Sequence, residues 1–296
     1  MPKSAVGDVA VQEPETMWLR FQGVSASVEL NGAADLLPAI EDVFMGWPWK
    51  RLKRQPRVPV AISFTKHGEK YLRHSKWVET PDLDDDATDA MCDFVSDIID
   101  AYVEERPGML GIHASAVRIG DGLIVIPSTH RSGKSLLCAH LVARGGVLFS
   151  DDVLLLPPRG FQGIATGIVP RLRLPVPDEN NSPLPTFISQ NGIYANERYG
   201  WLKLPSGQMA KLGDRAPVRA IVLLNRKKKK VDRMPRLDAI SRPDALARLI
   251  RRGFALDAKA DDVLSRFSRI ASTADCYRLK YGSATKAADH LWQTFN

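Results

Sequence analysis

Residues 123–156 read LIVIPSTHRSGKSLLCAHLVARGGVLFSDDVLLL, and the polar residues in this stretch have the types and spacing for phosphate chemistry. An apolar run ends in a loop, Ser128-Thr129-His130-Arg131-Ser132-Gly133-Lys134-Ser135, and an amphipathic helix follows. The loop matches the frame G-x-x-x-x-G-K-[ST] at three of its four fixed positions, with Ser128 in place of the first glycine. In such a loop the backbone N–H groups form an anion nest, reinforced by the N-terminus of the helix. The lysine, here Lys134, reaches the outer phosphates, and the hydroxyl, here Ser135, takes a magnesium ion. Gly-Lys-Ser alone recurs by chance. The strand before it and the helix after it are the stronger signal. Arg131 stands where a second glycine is common, and glycine is what permits a positive φ. Either the loop takes another shape, or the guanidinium itself contacts phosphate.

Asp151 and Asp152 interrupt a strand, GVLFSDDVLLL, that is otherwise apolar. Two carboxylates in a buried strand cost several kcal/mol unless each is paired or bound to a metal. They lie 17 and 18 positions after Lys134, on the next strand, which is a compact arrangement for a phosphate loop and its acidic partner. Neighbouring side chains on a strand face opposite ways, so one Asp meets an ion beside the loop. The other needs a bulge or a strand end to face the same site. A structural salt bridge is the competing explanation. His113, in GIHASAV, sits on the strand before the loop hairpin, which brings it towards the phosphates.

The elements that must position these groups follow from pattern. Residues 17–30 alternate as one or two strands, AADLLPAIEDVF is a helix or turn, and VPVAISFTKHG and KYLRHSKWVE are strands joined near His67-Gly68. Residues 84–104 form an amphipathic helix with Met91, Phe94, Val95, Ile98, Ile99 and Tyr102 on its apolar stripe and a solvated acidic face opposite. A strand, a turn at Gly120-Asp121-Gly122 and a second strand lead into the loop. From Pro157-Pro158 to about residue 215 the chain is rich in Pro, Asn and Gly, and reads as a long lid or substrate loop. APVRAIVLLN is a strand, RPDALARLIRRGFAL a helix, and the C-terminal segment a strand then a helix. The predicted organisation is a flexible N-terminus over 1–15, a small α+β module over 16–106 and a nucleotide-binding domain over 107–296.

At 296 residues, 44% hydrophobic and 25% charged, the chain has the make-up of a soluble globular protein and not of a disordered one. No apolar stretch approaches the roughly 18 residues of a membrane span, and the N-terminus lacks the apolar core of a signal peptide, so the expected location is the cytoplasm. Cys92, Cys138 and Cys276 are far apart and odd in number, which fits reduced, packed thiols and not a disulfide frame or zinc site. The net charge of +7 favours anionic partners, nucleotides among them. The run from Arg226 to Lys230 reads as a solvated hairpin tip; a nucleic-acid patch is the weaker alternative.

Taken together these pieces resemble the HPr kinase/phosphorylase superfamily. His113-Ala114-Ser115-Ala116 resembles that family's histidine strand, STHRSGKS its phosphate-binding loop, and HLVARGGVLFSDDVLLL the segment leading to its paired aspartates. DCYRLKYGSATKAADHL resembles the C-terminal strand and helix of HPr-kinase-related proteins. The likeness is densest over residues 108–160. Ser128 and Arg131 replace the family's loop glycines, and GIVPRLRLP stands where an arginine-glycine-leucine-glycine signature would follow Asp152.

The resemblance implies an α/β fold, a P-loop kinase core of the HPr kinase and phosphoenolpyruvate carboxykinase type. It implies ATP and Mg2+, oligomers, and phosphorylation of a serine hydroxyl on a protein, peptide or small molecule. Lys134 and the loop N–H groups, from Ser128 to Ser135, would hold the β- and γ-phosphates. Ser135 and one of Asp151 and Asp152 would hold magnesium, while the other Asp accepts the acceptor's proton. His113 would tune that Asp or touch the phosphoryl group, with Arg131, Arg171, Arg173 and Lys203 as electrostatic helpers. The alternative is a nucleotide-binding regulatory or scaffold protein whose glycine-poor loop binds without turnover.

Overall fold

The computed structural model describes residues 15–127, 129, 132–177, 179, 182–227 and 234–296. The expected flexible N-terminus lies outside this set except for Glu15, and so do Lys228, Lys229 and Lys230 of the basic run.

The alternating stretch near the N-terminus forms two strands, β1 (Thr16–Phe21) and β2 (Ser27–Asn31), paired antiparallel with Trp18 opposite Glu29. A 3-10 turn, Ala34–Leu36, leads into α1 (Leu37–Val43), which carries a proline in its first turn, where the missing N–H costs nothing. β3 (Trp49–Leu52), β4 (Val60–His67), β5 (Lys70–Ser75) and β6 (Asp82–Asp84) complete a six-stranded sheet in the order β3-β1-β2-β4-β5-β6. α2 (Ala87–Glu104) starts where the Asp86 carboxylate accepts from the Asp89 N–H at 3.0 Å. Its apolar stripe packs into the core, and Phe94 meets Phe21, Phe44 and Phe64 at ring distances of 5.5, 5.3 and 5.4 Å.

The acidic face of α2 is not wholly solvated, which corrects the sequence expectation. Asp97 is buried and accepts from Arg73 at 2.7 Å and from Ser75 at 2.8 Å, and Asp89 is buried against Arg198. The cause is Arg73 on β5, only 4% exposed, because a buried guanidinium has to be paired. Asp84 lies 4.0 Å from the same group. Burial, then the neighbouring Asp93, push its carboxyl up to about 7 against the pull of Arg73. A folded pKa above the unfolded value means that the group favours folding most at low pH, and that this contribution is lost as pH rises through about 7. Asp84→Asn is expected to gain stability over wild type at pH 8 and to gain little at pH 4, measured by calorimetric unfolding. A difference that is the same at both pH values would show that Asp84 is not held protonated.

The second sheet begins with a hairpin of β7 (Leu110–Ile119) and β8 (Gly122–Pro127). α3 (Lys134–Val142) follows the loop, then β9 (Val147–Ser150) and β10 (Val153–Leu156). The segment expected to be one long loop is instead built of β11 (Gln162–Ile164), β12 (Arg171–Arg173), α4 (Leu184–Asn191), β13 (Gly192–Ala195) and β14 (Tyr199–Leu202). β12, β14 and β13 pair as a small antiparallel sheet, and the prolines and asparagines punctuate short strands. β15 (Arg215–Arg226), β16 (Arg236–Ala239), α5 (Arg242–Arg252), β17 (Gly253–Phe254), α6 (Ala260–Thr273), β18 (Asp275–Tyr281) and α7 (Ala284–Phe295) complete the chain.

The second sheet runs β11-β10-β7-β8-β15-β18-β16, with β9 and β17 also paired to β7. Its central strands are apolar on both faces, and alternate residues serve two cores. Ile124, Ile126, Ala220 and Val222 pack with α3 and α7, while Leu123, Val125, Ile221 and Leu223 pack with α5 and α6. Helices therefore cover both faces of a mixed sheet, and the fold is α/β. β8, β15 and β18 run parallel, so their C-terminal ends meet on one side of the sheet. Open α/β sheets bind ligands at that side. Among the described residues no helix is long and apolar enough to cross a membrane.

Candidate active site

The loop after β8 and the Asp pair meet at that end of the sheet. Ser128, His130 and Arg131 lie outside the described residues. Thr129 is exposed, and its carbonyl accepts from the Ser132 N–H at 3.3 Å. Gly133 is the N-cap of α3 with φ of 93°, a left-handed conformation that glycine adopts without strain. The glycine of the motif therefore stands where the backbone needs one. A Cβ there would lie 3.3 Å from the Tyr281 hydroxyl and 3.7 Å from Arg226.

The two aspartates share one site because the strand is broken at them. β9 and β10 both run antiparallel to β7, with Ser150 opposite Ala116 and Val153 opposite His113. The register slips between Leu148 and Ser150, and the chain bends at Asp151 and Asp152. The ladder survives the bend, since Ala114 N–H donates to the Asp152 carbonyl at 2.9 Å. This is the irregularity that two adjacent carboxylates need to converge.

Asp151 is tied down. Ser115 donates to its carbonyl at 2.5 Å and to Oδ1 at 3.1 Å, and the Arg171 N–H donates to Oδ2 at 3.1 Å. Burial pushes its carboxyl above the ordinary range, Asp152 adds to this, and Lys134 and the Ser135 hydroxyl offset it in part. Asp152 is ion-paired with Lys134, but its side chain is 51% exposed, so solvent screens the pair. For Asp152 burial acts upwards, and the Lys134 ammonium, with His113 and Arg171, outweighs it and holds the carboxyl below the usual range. The Lys134 ammonium also lies 3.4 Å from the Asp151 carbonyl. Burial lowers the pKa of His113, which stacks against Phe254 at 5.0 Å between ring centroids.

A cleft opens onto these groups, walled by Cys92 and Ile99 of α2, Arg171, Trp201, Lys134 and Ser135. The Arg171 guanidinium sits 4.7 Å from the Tyr199 ring and 5.5 Å from Trp201, and its positive charge is felt by Asp152. Burial keeps the Cys92 thiol protonated, with a pKa pushed up to about 11. Arg173 bonds the Tyr199 hydroxyl at 3.2 Å. Lys203 is not part of this site: its ammonium pairs with Asp42 of α1 at 2.6 Å.

Sequence reasoning missed Arg226 and Tyr281, which lie beside Gly133, and Glu179, which pairs with Arg226. Arg226 and Tyr281 end the parallel strands β15 and β18, opposite one another in register. Glu179 then closes the corner, accepting from Ser283 Oγ at 2.6 Å, from the N–H groups of Ala284 and Thr285 at 2.9 and 2.8 Å, and from Arg226 at 3.4 Å. This carboxylate caps α7 from outside the helix. The available signal was an arginine directly after the apolar run AIVLLN, but it was counted into a surface charge run.

The donor set fits a phosphate and a hard cation. The hydroxyls of Ser132 and Tyr281 are shut off from solvent without a hydrogen-bond partner among the described residues, and each could donate to a phosphate oxygen. Ser135, Asp151 and Asp152 are oxygen ligands of the kind magnesium prefers. Among the described residues no three His, Cys, Asp or Glu side chains form a metal cage. Magnesium in phosphate sites is usually held by one or two carboxylates with substrate oxygens and water, so none is needed.

The chain matches no protein-family model and no curated protein sequence. Among solved structures it is similar to the Hpr(Ser) kinase/phosphatase from Coxiella burnetii, at 15% identity and a TM-score of 0.29, over 63% of this chain and 99% of that one. A likeness this loose carries no argument about fold, role or residues. The roles below rest on the site's own geometry.

Proposed function

We propose that this protein is a cytoplasmic, magnesium-dependent kinase of the HPr-kinase-like type, which moves the γ-phosphoryl group of ATP to a hydroxyl, of the serine kind, on a protein, peptide or small molecule. The observation that carries this is the convergence of Asp151, Asp152 and Lys134 behind a strand–loop–helix turn, with Ser135 on the same cleft. On the same reading, residues 107–296 are the P-loop catalytic part and 16–106 a module that lends α2 to the cleft wall. Three free thiols, one of them fully enclosed, suit a reducing compartment.

Lys134 and the loop N–H groups take the β- and γ-phosphates, so Lys134 exchanges its Asp152 partner for phosphate when the nucleotide arrives. Ser135 and Asp151 hold the magnesium ion, because Asp151 is already fixed by Ser115 and by the Arg171 N–H. Magnesium, when bound, would neutralise negative charge developing on the phosphates. Asp152, half exposed at the mouth, then loses its ammonium partner and accepts the acceptor's proton as the new P–O bond forms and the β–γ bond breaks. His113 lies on the strand opposite, and burial favours its neutral form, so its part is to face Asp152 across the ladder and line the approach to it. Arg171 adds positive charge at the cleft.

The test is ADP formation from ATP in the presence of serine-bearing peptides. Turnover is expected with magnesium and is expected to stop on chelation. Nucleotide binding with no acceptor-dependent turnover, over a broad peptide set, would favour a regulatory scaffold instead.

A further inference from the structure

The 11-residue helix α5 carries Arg242, Arg248, Arg251 and Arg252. Arg248 lies three and four positions before Arg251 and Arg252, so the three side chains are neighbours on the helix surface. None of the three forms an ion pair with a carboxylate among the described residues, whereas Arg51, Arg73, Arg144, Arg198, Arg226 and Arg236 each do. Like charges at this spacing destabilise a helix. The Nε of Arg252 is also closed off from solvent with no hydrogen-bond partner among the described residues. Burial and the charges of Arg252, Arg251 and Arg278 together make Arg248 easier to deprotonate, a sign of uncompensated positive field. Asp244, one turn before Arg248, is the acid of α5 itself, but it forms no ion pair with Arg248 and accepts from Ser241 instead, so an external anion can pair with the cluster.

The place of the cluster says what that anion belongs to. α5 runs directly into β17, which lies antiparallel to β7 with Gly253 opposite Ile112 and Phe254 opposite Gly111. The next residue of β7 is His113, packed on Phe254, and the charge of Arg252 is felt there. The Asp pair lies across β7, beside β10. Ile250 and Leu256, 44% and 53% exposed, flank Arg251 and Arg252 in the chain. Arginine among exposed apolar residues is the composition of a protein-binding surface.

We propose that Arg248, Arg251 and Arg252 form the docking surface for the phosphoryl acceptor, and that the acceptor is an acidic protein or peptide segment. Its carboxylates pair with the guanidinium groups while its hydroxyl residue crosses Phe254 to reach His113 and Asp152. The hydroxyl's fate rests on the kinase assignment; the docking itself does not.

The experiment is fluorescence anisotropy with the full-length chain. The probes are a labelled peptide of Asp and Glu with one Ser and one Leu, its Asn/Gln counterpart, and a single-stranded oligonucleotide of equal charge. The acidic peptide is expected to bind wild type and the other two to bind at least about tenfold more weakly. Arg251→Glu, at an exposed position, is expected to weaken the peptide at least about tenfold, and the triple change to Gln at 248, 251 and 252 to abolish binding. Unfolding curves of each variant confirm that it is folded. Lys134→Ala is expected to leave peptide binding intact, so failure of nucleotide binding and failure of docking are read separately. Equal peptide binding by wild type and variants, or no peptide binding by wild type, overturns the proposal. So does an oligonucleotide that binds more tightly than the peptide and is lost in the variants, which would make the surface one for nucleic acid.

Discussion

Asp152→Asn is expected to lower kcat by about 10³-fold while leaving the dissociation constant for magnesium-ATP within a few-fold of wild type. Asn keeps the shape and one acceptor oxygen but cannot take a proton. The Lys134 pair it breaks is half exposed, so the fold should lose no more than about 1 kcal/mol. Because Lys134 would no longer have to leave a carboxylate to reach phosphate, nucleotide binding should not weaken. Pre-steady-state turnover together with equilibrium nucleotide binding separates the two effects. A kcat within tenfold of wild type, or a loss of rate matched by a loss of binding, would mean that Asp152 is not the base.

Asp151→Asn is expected to do two opposite things. It should remove most magnesium-dependent turnover, because the fixed carboxylate is the proposed metal ligand. It should also stabilise the protein alone at neutral pH by about 1 kcal/mol, because a carboxylate enclosed against its own solvation is replaced by a neutral amide. The sign follows from burial, which holds the folded pKa of Asp151 above the unfolded value. The group favours folding below the unfolded pKa, and that contribution disappears as pH rises through the folded one. The stabilisation by Asn should therefore be clear at pH 7 and fade by about pH 4, in paired melts with no added metal. A variant that is less stable than wild type at pH 7 would show that the bonds from Ser115 and the Arg171 N–H depend on the charge more than burial opposes it.

The parts legible in sequence were those where composition breaks a pattern. Two acids inside VLFSDDVLLL stand out because a strand with both faces buried should be apolar, and Gly133 stands out as a fixed position of the phosphate-loop frame. The strand–loop–helix turn and the hairpin from β7 to β8 follow from the same alternation. The residues that were not legible depend on sheet order, which no local pattern encodes. Arg226 and Tyr281 reach the loop only because β15 and β18 run parallel to β8 on its far side from β7. Cys92 and Ile99 reach the cleft only because α2 packs against β14, where Trp201 Nε1 donates to the Thr88 carbonyl at 3.4 Å. The slip before Asp151 is a register property of β9 on β7, and two acids of α2 were misplaced because their partners, Arg73 on β5 for Asp97 and Arg198 for Asp89, lie elsewhere in the chain. Lys203, close in sequence to the cleft residue Trp201, turns away to Asp42.

The most direct test is thermal unfolding of wild type and Lys134→Ala with and without magnesium-ATP. At a concentration 100 times its dissociation constant a ligand stabilises the folded state by about 2.7 kcal/mol. Wild type is expected to shift by that order, and Lys134→Ala to show little shift while remaining folded without nucleotide. Equal shifts in both proteins would place the nucleotide elsewhere, and no shift of wild type with ATP, GTP or pyrophosphate would mean that the loop does not hold phosphate at all.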